Sequence, residues 1–183
     1  TGEHICLSLI QAARQDFSSS VRYAVVVHDV GKGLTPQEIF PKHHGHEHAG
    51  VTLVEAISKR LKIPKDFREL AIGVTKYHLQ IHRVKDLRPK KLLSLLEVLD
   101  AFRRPQRLDD ILDACQSDAT GRTGLEDNAY PSADYIRAAR LAALAVSAKD
   151  VKSELADEND FVAAYRAARE QALKEFIVNY EQT

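Results

Sequence analysis

The residue pair in this sequence best suited to chemistry is His28-Asp29, at the end of the run Val25-Val26-Val27-His28-Asp29-Val30-Gly31-Lys32. Burying a carboxylate costs on the order of several kcal/mol unless it is paired, hydrogen-bonded or metal-bound, so an Asp behind a valine run needs a cation close by. A neutral imidazole next to it suggests which cation. Nitrogen and oxygen donors from adjacent positions suit a divalent first-row metal, or a harder ion such as Mg or Mn, better than a thiolate site would. Taken alone, the dipeptide is more commonly a buried His beside an Asp that caps a helix.

Other residues of the same chemistry recur downstream. In the cluster His43-His44-Gly45-His46-Glu47-His48, projection backward from the following helix puts His46 and Glu47 near the apolar side and turns His48 away. His43 and His48 read as solvent-facing, and His46 is the inward candidate. His78 continues the row Leu70, Val74 and Ile81, with His82 one turn further on. Two imidazoles at i and i+4 can share a metal or a phosphate, although a single core His with one hydrogen bond is the commoner arrangement. Asp118 extends the row Ile111 and Cys115 at helical spacing, placing a carboxylate along an apolar face with nothing in its own helix to explain it. Asp100, beside the leucine-rich face of the preceding helix, is a weaker version of the same anomaly. His4 stands at the start of the first helix and completes a set only if it faces His28.

The elements that must position these side chains read as helices almost throughout, with Gly and Pro mostly at junctions. An all-α domain is expected. A first helix spans 3–15 with Ile5, Leu9, Ala12 and Ala13 on one side, and a second spans 19–30 with Val21, Ala24, Val25 and His28 in register. The three valines also suit a buried strand, but Gly31 as a stop and the helical neighbourhood favour helix. A loop through Gly33, Pro36 and Pro41 leads to a third helix marked by Val51, Val54, Ile57 and Leu61 and ended by Pro64. A fourth carries Leu70, Val74, Tyr77, His78 and Ile81, and a fifth carries Leu92, Leu95, Leu96 and Leu99 and stops before Pro105. The sixth is marked by Leu108, Ile111, Leu112 and Cys115. Beyond Gly121, Gly124 and Pro131 the composition turns to Ala, Arg and Glu, with Phe161, Tyr165, Ala168, Ala172 and Phe176 along one face of a terminal helix. The expected organisation is a domain over 1–132 and a helical extension over 133–183.

Composition narrows the function classes. The 183 residues balance 26 Lys+Arg against 26 Asp+Glu, unlike a protein whose main work is gripping nucleic acid, although local basic patches remain open. Cys6 and Cys115, far apart and each among apolar residues, read as buried free thiols in a reducing compartment, the cytoplasm by default. No apolar run approaches a membrane span and no basic-then-apolar leader opens the chain. With no Met and an abrupt start inside a helix, the chain is expected to be a fragment of something longer.

Together, His4, His28-Asp29 and Asp118 resemble the sequential His, His-Asp, Asp pattern of the HD superfamily of metal-dependent phosphohydrolases. His46 and His78 match the additional histidines of its better-equipped members. More narrowly, His28-Asp29-Val30-Gly31-Lys32-Gly33-Leu34-Thr35-Pro36, His43-His44-Gly45-His46, Asp100-Ala101-Phe102-Arg103-Arg104-Pro105-Gln106-Arg107 and Asp118-Ala119-Thr120-Gly121-Arg122-Thr123-Gly124 resemble the C-terminal HD domain of bacterial multifunctional tRNA nucleotidyltransferases, the CCA-adding enzymes. The similarity covers residues 1 to about 135. It implies a helical bundle with a helical appendage, and a divalent metal held by His4, His28, Asp29 and Asp118, with His46 and His78 as further donors. Nickel and magnesium are the implied metals, with manganese and cobalt beside them. The implied activities are those of a phosphatase, 2′-nucleotidase and 2′,3′-cyclic phosphodiesterase. Two departures stand out: Leu79 follows His78 where the family pattern has Asp, and the tail from residue 136 shows little of the pattern. No nucleotidyltransferase head lies in these residues, so CCA addition is not expected of them.

On this reading Asp29 orients or deprotonates the attacking water, and Lys32 and Arg122 neutralise phosphate oxygens. Gly31 and Gly33 would let an anion approach Lys32 closely. His78 touches the phosphate or leaving group, or helps bind a second metal. The expected substrate is a nucleotide or an RNA 3′-end phosphate, with tRNA as partner of the full-length protein and the oligomeric state left open. A triphosphohydrolase or cyclic-dinucleotide hydrolase of the same fold is the other enzyme class. The non-enzymatic alternative is a tRNA-contacting support domain with a structural or idle metal site. Basic stretches at Lys85, Arg88, Lys90 and Lys91 and at Arg103, Arg104 and Arg107 suit phosphate contact, although such runs are usually solvated faces.

Overall fold

A computed structural model describes residues 2–153, 160–180 and 182, and among them the chain is all helical, with no strand. The helices are α1 (Gly2–Arg14), α2 (Ser19–Val27), α3 (His46–Arg60), α4 (Lys65–His82), α5 (Pro89–Val98), α6 (Pro105–Thr120), α7 (Pro131–Leu144), α8 (Ala148–Ser153) and α9 (Phe161–Tyr180). The valine run is helical as expected. Ser18 caps α2 by accepting from the Val21 N–H, and Val21, Ala24 and Val25 fill the core.

The expected second helix ends three residues early. Asp29 leaves the helix at φ −103° and ψ 8°, in the sparsely allowed region where many active-site residues sit, and a 3₁₀ turn runs over Val30–Leu34. Gly31 shows why the chain turns there. A Cβ on Gly31 would lie 2.0 Å from the His46 carbonyl oxygen and 2.7 Å from the Gly50 nitrogen, so this backbone is pressed directly on the first turn of α3. Gly31 is therefore a packing residue, not a place for an anion to approach. Of the two glycines flanking Lys32, Gly33 keeps open space around it.

The structured chain divides into two compact units, one of residues 1–82 and 106–133, the other of 83–105 and 134–183. In the first, α2 packs on α1 and α4, and α3 on α4 and the 3₁₀ turn. Leu70, Val74 and Ile81 of α4 and Leu108, Ile111, Leu112 and Cys115 of α6 are buried in it. In the second, α5 packs on α9, with Leu92, Leu93, Leu95 and Leu96 buried, and Arg166 holds Glu97 at 3.0 Å. Residues 83–105 thus sit with the C-terminal helices, unlike the contiguous partition 1–132 and 133–183. The cause is that the leucine face of α5 is covered by α9.

Two burial expectations need correction. Cys6 is free but exposed, while Cys115 is free and buried. The buried row of α1 runs through Ser8, Gln11 and Ala12 instead of the more apolar Ile5, Leu9 and Ala13, which rotates Cys6 to the outside. Polar residues occupy that row because α1 must bring His4 inward, one turn before Ser8. No helix of the described residues is long and apolar enough to cross a membrane.

Candidate metal centre

The first unit brings six of the predicted residues into one buried cluster. His28, Asp29, His46, His78 and Asp118 are each at most 6% exposed, and the His4 side chain is 19% exposed. They come from α1, the end of α2, the start of α3, the last turns of α4 and the end of α6. Donor atoms of His4, His28 and Asp29, of His28, His78 and Asp118, and of Asp29, His46 and His78 form three sets close enough to hold a metal ion.

Hydrogen bonding fixes which ring nitrogen faces the centre. His4 Nδ1 donates to the Gly121 carbonyl at 2.9 Å, His28 Nδ1 to Val25 at 2.8 Å and His46 Nδ1 to His43 at 2.7 Å. His78 Nδ1 lies 3.1 Å from the carbonyls of both Val74 and Thr75. A carbonyl can only accept, so each Nδ1 carries a hydrogen and each neutral ring presents its Nε2 lone pair inward. That is the tautomer a metal-ligating histidine adopts. Gly121 makes the His4 contact possible, since a Cβ there would meet Ser8 Oγ at 2.1 Å.

The two carboxylates divide the Nε2 atoms between them. Asp118 Oδ1 lies 2.8 Å from His4 Nε2 and 3.5 Å from His28 Nε2, and Asp29 Oδ2 lies 3.5 Å from His28 Nε2. Asp29 Oδ1 faces the other way, 3.2 Å from His46 Nε2 and 3.8 Å from His78 Nε2. Neighbouring ligands around one ion at bond lengths of about 2.1 Å are themselves about 3 Å apart, so these separations suit a shared cation. His28 Nε2, His46 Nε2 and Asp29 Oδ1 are fully buried polar atoms with no hydrogen-bond partner among the described residues. Orphaned buried groups of this kind need a partner, and a cation is the one that suits two lone pairs and a carboxylate oxygen together.

Charge in the cluster is correspondingly displaced. Burial works against ionising the Asp118 carboxyl, but the rings of His28, His4 and His82 that face it outweigh burial and hold the group well below the usual carboxylate range. Asp29 is lowered too, its burial overcome by His28 and Lys32. For His28, burial is outweighed by Asp118, and its affinity for a proton is raised. His78 is pushed down to about 4 by burial and by the charge on His28, so it stays neutral near pH 7.

Among the remaining predicted residues, Lys32 Nζ pairs with Asp29 Oδ2 and its side chain is a quarter exposed. Arg122 is exposed, on the loop after α6. Asp100 is not in the cluster: its carboxylate is taken by Arg103 at 2.7 Å and Arg104 at 3.3 Å. His48 is exposed, and half-buried His43 bonds Thr35 Oγ1 at 2.9 Å. Two neighbours went unpredicted in these roles. His82 Nε2 lies 2.7 Å from Asp118 Oδ2, and His82 Nδ1 lies 2.8 Å from the Tyr130 hydroxyl. The i+4 spacing from His78 flags His82 in the sequence, whereas nothing there singles out Tyr130.

Comparison with known proteins gives this geometry a family. Residues 3–119 match the family described as HD domain. A Multifunctional CCA protein of Thioalkalivibrio sulfidiphilus is 48% identical over 175 residues, 96% of this chain and 43% of that protein. Proteins of the same name from Alkalilimnicola ehrlichii and Pseudomonas syringae pv. syringae are 52% identical over 149 residues and 42% over 176, covering 81% and 96% of this chain and 36% and 43% of theirs. The chain thus spans less than half the length of these relatives. No solved structure matches it. The chain belongs to the HD domain family.

Proposed function

We propose that this HD domain is a metal-dependent phosphohydrolase acting on nucleotides or RNA 3′ ends, as a 2′,3′-cyclic phosphodiesterase, 2′-nucleotidase and phosphatase. The observation that carries the reading is the trio of orphaned buried atoms, His28 Nε2, His46 Nε2 and Asp29 Oδ1, on rings whose other nitrogens are tied to carbonyls. His4, His28, Asp29 and Asp118 would hold one divalent cation. His46 and His78, facing Asp29 Oδ1, would serve a second cation or the phosphate itself. Nickel, magnesium, manganese or cobalt bound there would supply Lewis acidity, acidifying a water and offsetting phosphate charge.

The chain's own residues do the rest. Asp29 Oδ1, free of any hydrogen bond, is the acceptor that orients the attacking water. Lys32, paired with Asp29 and a quarter exposed, would neutralise the phosphate oxygens with its ammonium. Arg122, exposed on the loop after α6, would meet the phosphate from the solvent side. His78, neutral near pH 7, offers the leaving group a hydrogen-bonding partner without competing charge. In a longer protein like the Multifunctional CCA proteins, the substrate would be the 3′ end of a tRNA.

The test is hydrolysis of a 2′,3′-cyclic nucleotide by metal-stripped protein, before and after addition of nickel, cobalt, manganese or magnesium. Turnover that appears only with metal is expected. Metal uptake without turnover on cyclic, 2′- or 3′-phosphorylated substrates would replace this reading with that of a support domain.

A further inference from the structure

The five histidines at the centre do not share one polarity. In His4, His28, His46 and His78 the Nδ1 atom is bound to main-chain carbonyls and Nε2 points inward. His82 is reversed. Its Nε2 lies 2.7 Å from Asp118 Oδ2, and its Nδ1 faces the Tyr130 hydroxyl, which can donate where a carbonyl cannot, so the neutral ring carries its hydrogen on Nε2 and gives it to the carboxylate. Its Nδ1 then bears the lone pair and accepts the Tyr130 O–H at 2.8 Å. Both nitrogens are engaged, so the ring has no lone pair left for a cation. Its main-chain carbonyl is held in turn by Ser132 Oγ at 3.4 Å.

Asp118 shows what this reversal does. Its two oxygens are divided, Oδ2 to His82 and Oδ1 toward His4 Nε2 and His28 Nε2. A carboxylate held by one oxygen presents the other in a fixed direction, where a freely rotating group would not. Tyr130 acts one step further out, fixing the tautomer of His82 from a residue 48 positions away.

We propose that His82 and Tyr130 are positioning residues that orient Asp118 as a one-oxygen donor, and that His82 is not itself a ligand. The inference rests on the metal reading above and goes beyond it by assigning the outer support of a single donor. Its test is Co²⁺ binding to the metal-stripped chain, read by equilibrium titration and by the visible d–d absorption of the bound ion, with helix content followed by circular dichroism.

His82→Ala is expected to weaken Co²⁺ binding by about 10- to 100-fold, and Tyr130→Phe by about tenfold, both with a changed d–d spectrum and unchanged helix content. His82→Gln, whose carboxamide N–H can still donate to Asp118, should recover most of the loss. Tyr130→Phe differs from the parent by one hydroxyl, so it decides the matter even if His82→Ala fails to fold. Wild-type Co²⁺ affinity and spectrum in Tyr130→Phe would overturn the proposal, as would His82→Gln behaving like His82→Ala beside a silent Tyr130→Phe. A parent chain that takes up no Co²⁺ would overturn the metal reading itself, and is thereby told apart from failure of the positioning role alone.

Discussion

Asp118, near the end of α6, and Asp100, just beyond α5, each continue an apolar helical row, and each ends in the company of cations of a different kind. Asp118 is 4% exposed and surrounded by His4, His28 and His82. Asp100 adopts a left-handed backbone at φ +56° and is gripped by Arg103 and Arg104. A guanidinium is permanently charged and has donors only, so the carboxylate it holds is neutralised and closed to a metal. An imidazole can give up its proton and keep a lone pair, so a carboxylate among imidazoles stays open to one. On the proposed reading, the type of neighbour, more than burial, separates a metal donor from a turn-stabilising acid.

Several substitutions sharpen or break this contrast. The largest effect is expected for His28→Ala and Asp29→Ala, which should lower metal-dependent hydrolysis by about a thousandfold or more while the circular dichroism of the helices is kept. Near-native turnover with the same metal dependence would place the chemistry elsewhere. Next is Gly31→Ala, where the new Cβ would meet main-chain atoms of His46 and Gly50 that cannot swing aside. Denaturant unfolding should show a loss of about 3 kcal/mol, with weakened metal binding because His46 is displaced.

The distance between these two predictions shows how far the sequence could be read. Helix identities, the inward turn of His46 and the anomaly of Asp118 all follow from 3.6-residue periodicity, because a polar side chain in an apolar row needs a partner. Periodicity says nothing of which nitrogen a ring presents, since that depends on carbonyls and on Tyr130, which lies 48 residues from His82. It also misplaced the face of α1, where His4 and Ser8 set the buried side against the more apolar Ile5 and Leu9. Gly31 looked like a stop and an anion approach, and its packing against α3 depends on a contact no local pattern encodes. The place of residues 83–105 rests likewise on α9, far along the chain.

Smaller effects concern the cations that face substrate. Lys32→Ala and Arg122→Ala should leave the metal content unchanged and lower turnover by about 10- to 100-fold, seen by pairing elemental analysis with steady-state rates. Loss of metal in either would make it part of the donor support instead. The smallest is a pH effect on the metal-free protein. His78 binds its proton with a value near 4 in the folded chain against 6.5 when unfolded, so between these values the unfolded state holds more protons. Its contribution is complete above pH 6.5 and is lost as the pH falls toward 4. His78→Asn should therefore lose less stability than the parent between pH 6.5 and 4.5, by about 1 M urea in denaturant midpoint.

The central claim, that the buried His and Asp residues of the first unit form the metal centre, meets its most direct test in elemental analysis of Asp118→Ala and Asp100→Ala, purified and reloaded with metal side by side. Metal should be lost or sharply reduced in Asp118→Ala and retained in full in Asp100→Ala, which gives up the pairs with Arg103 and Arg104 and about 1 kcal/mol of stability from the left-handed backbone at that position. Full occupancy in Asp118→Ala with loss in Asp100→Ala would contradict the account.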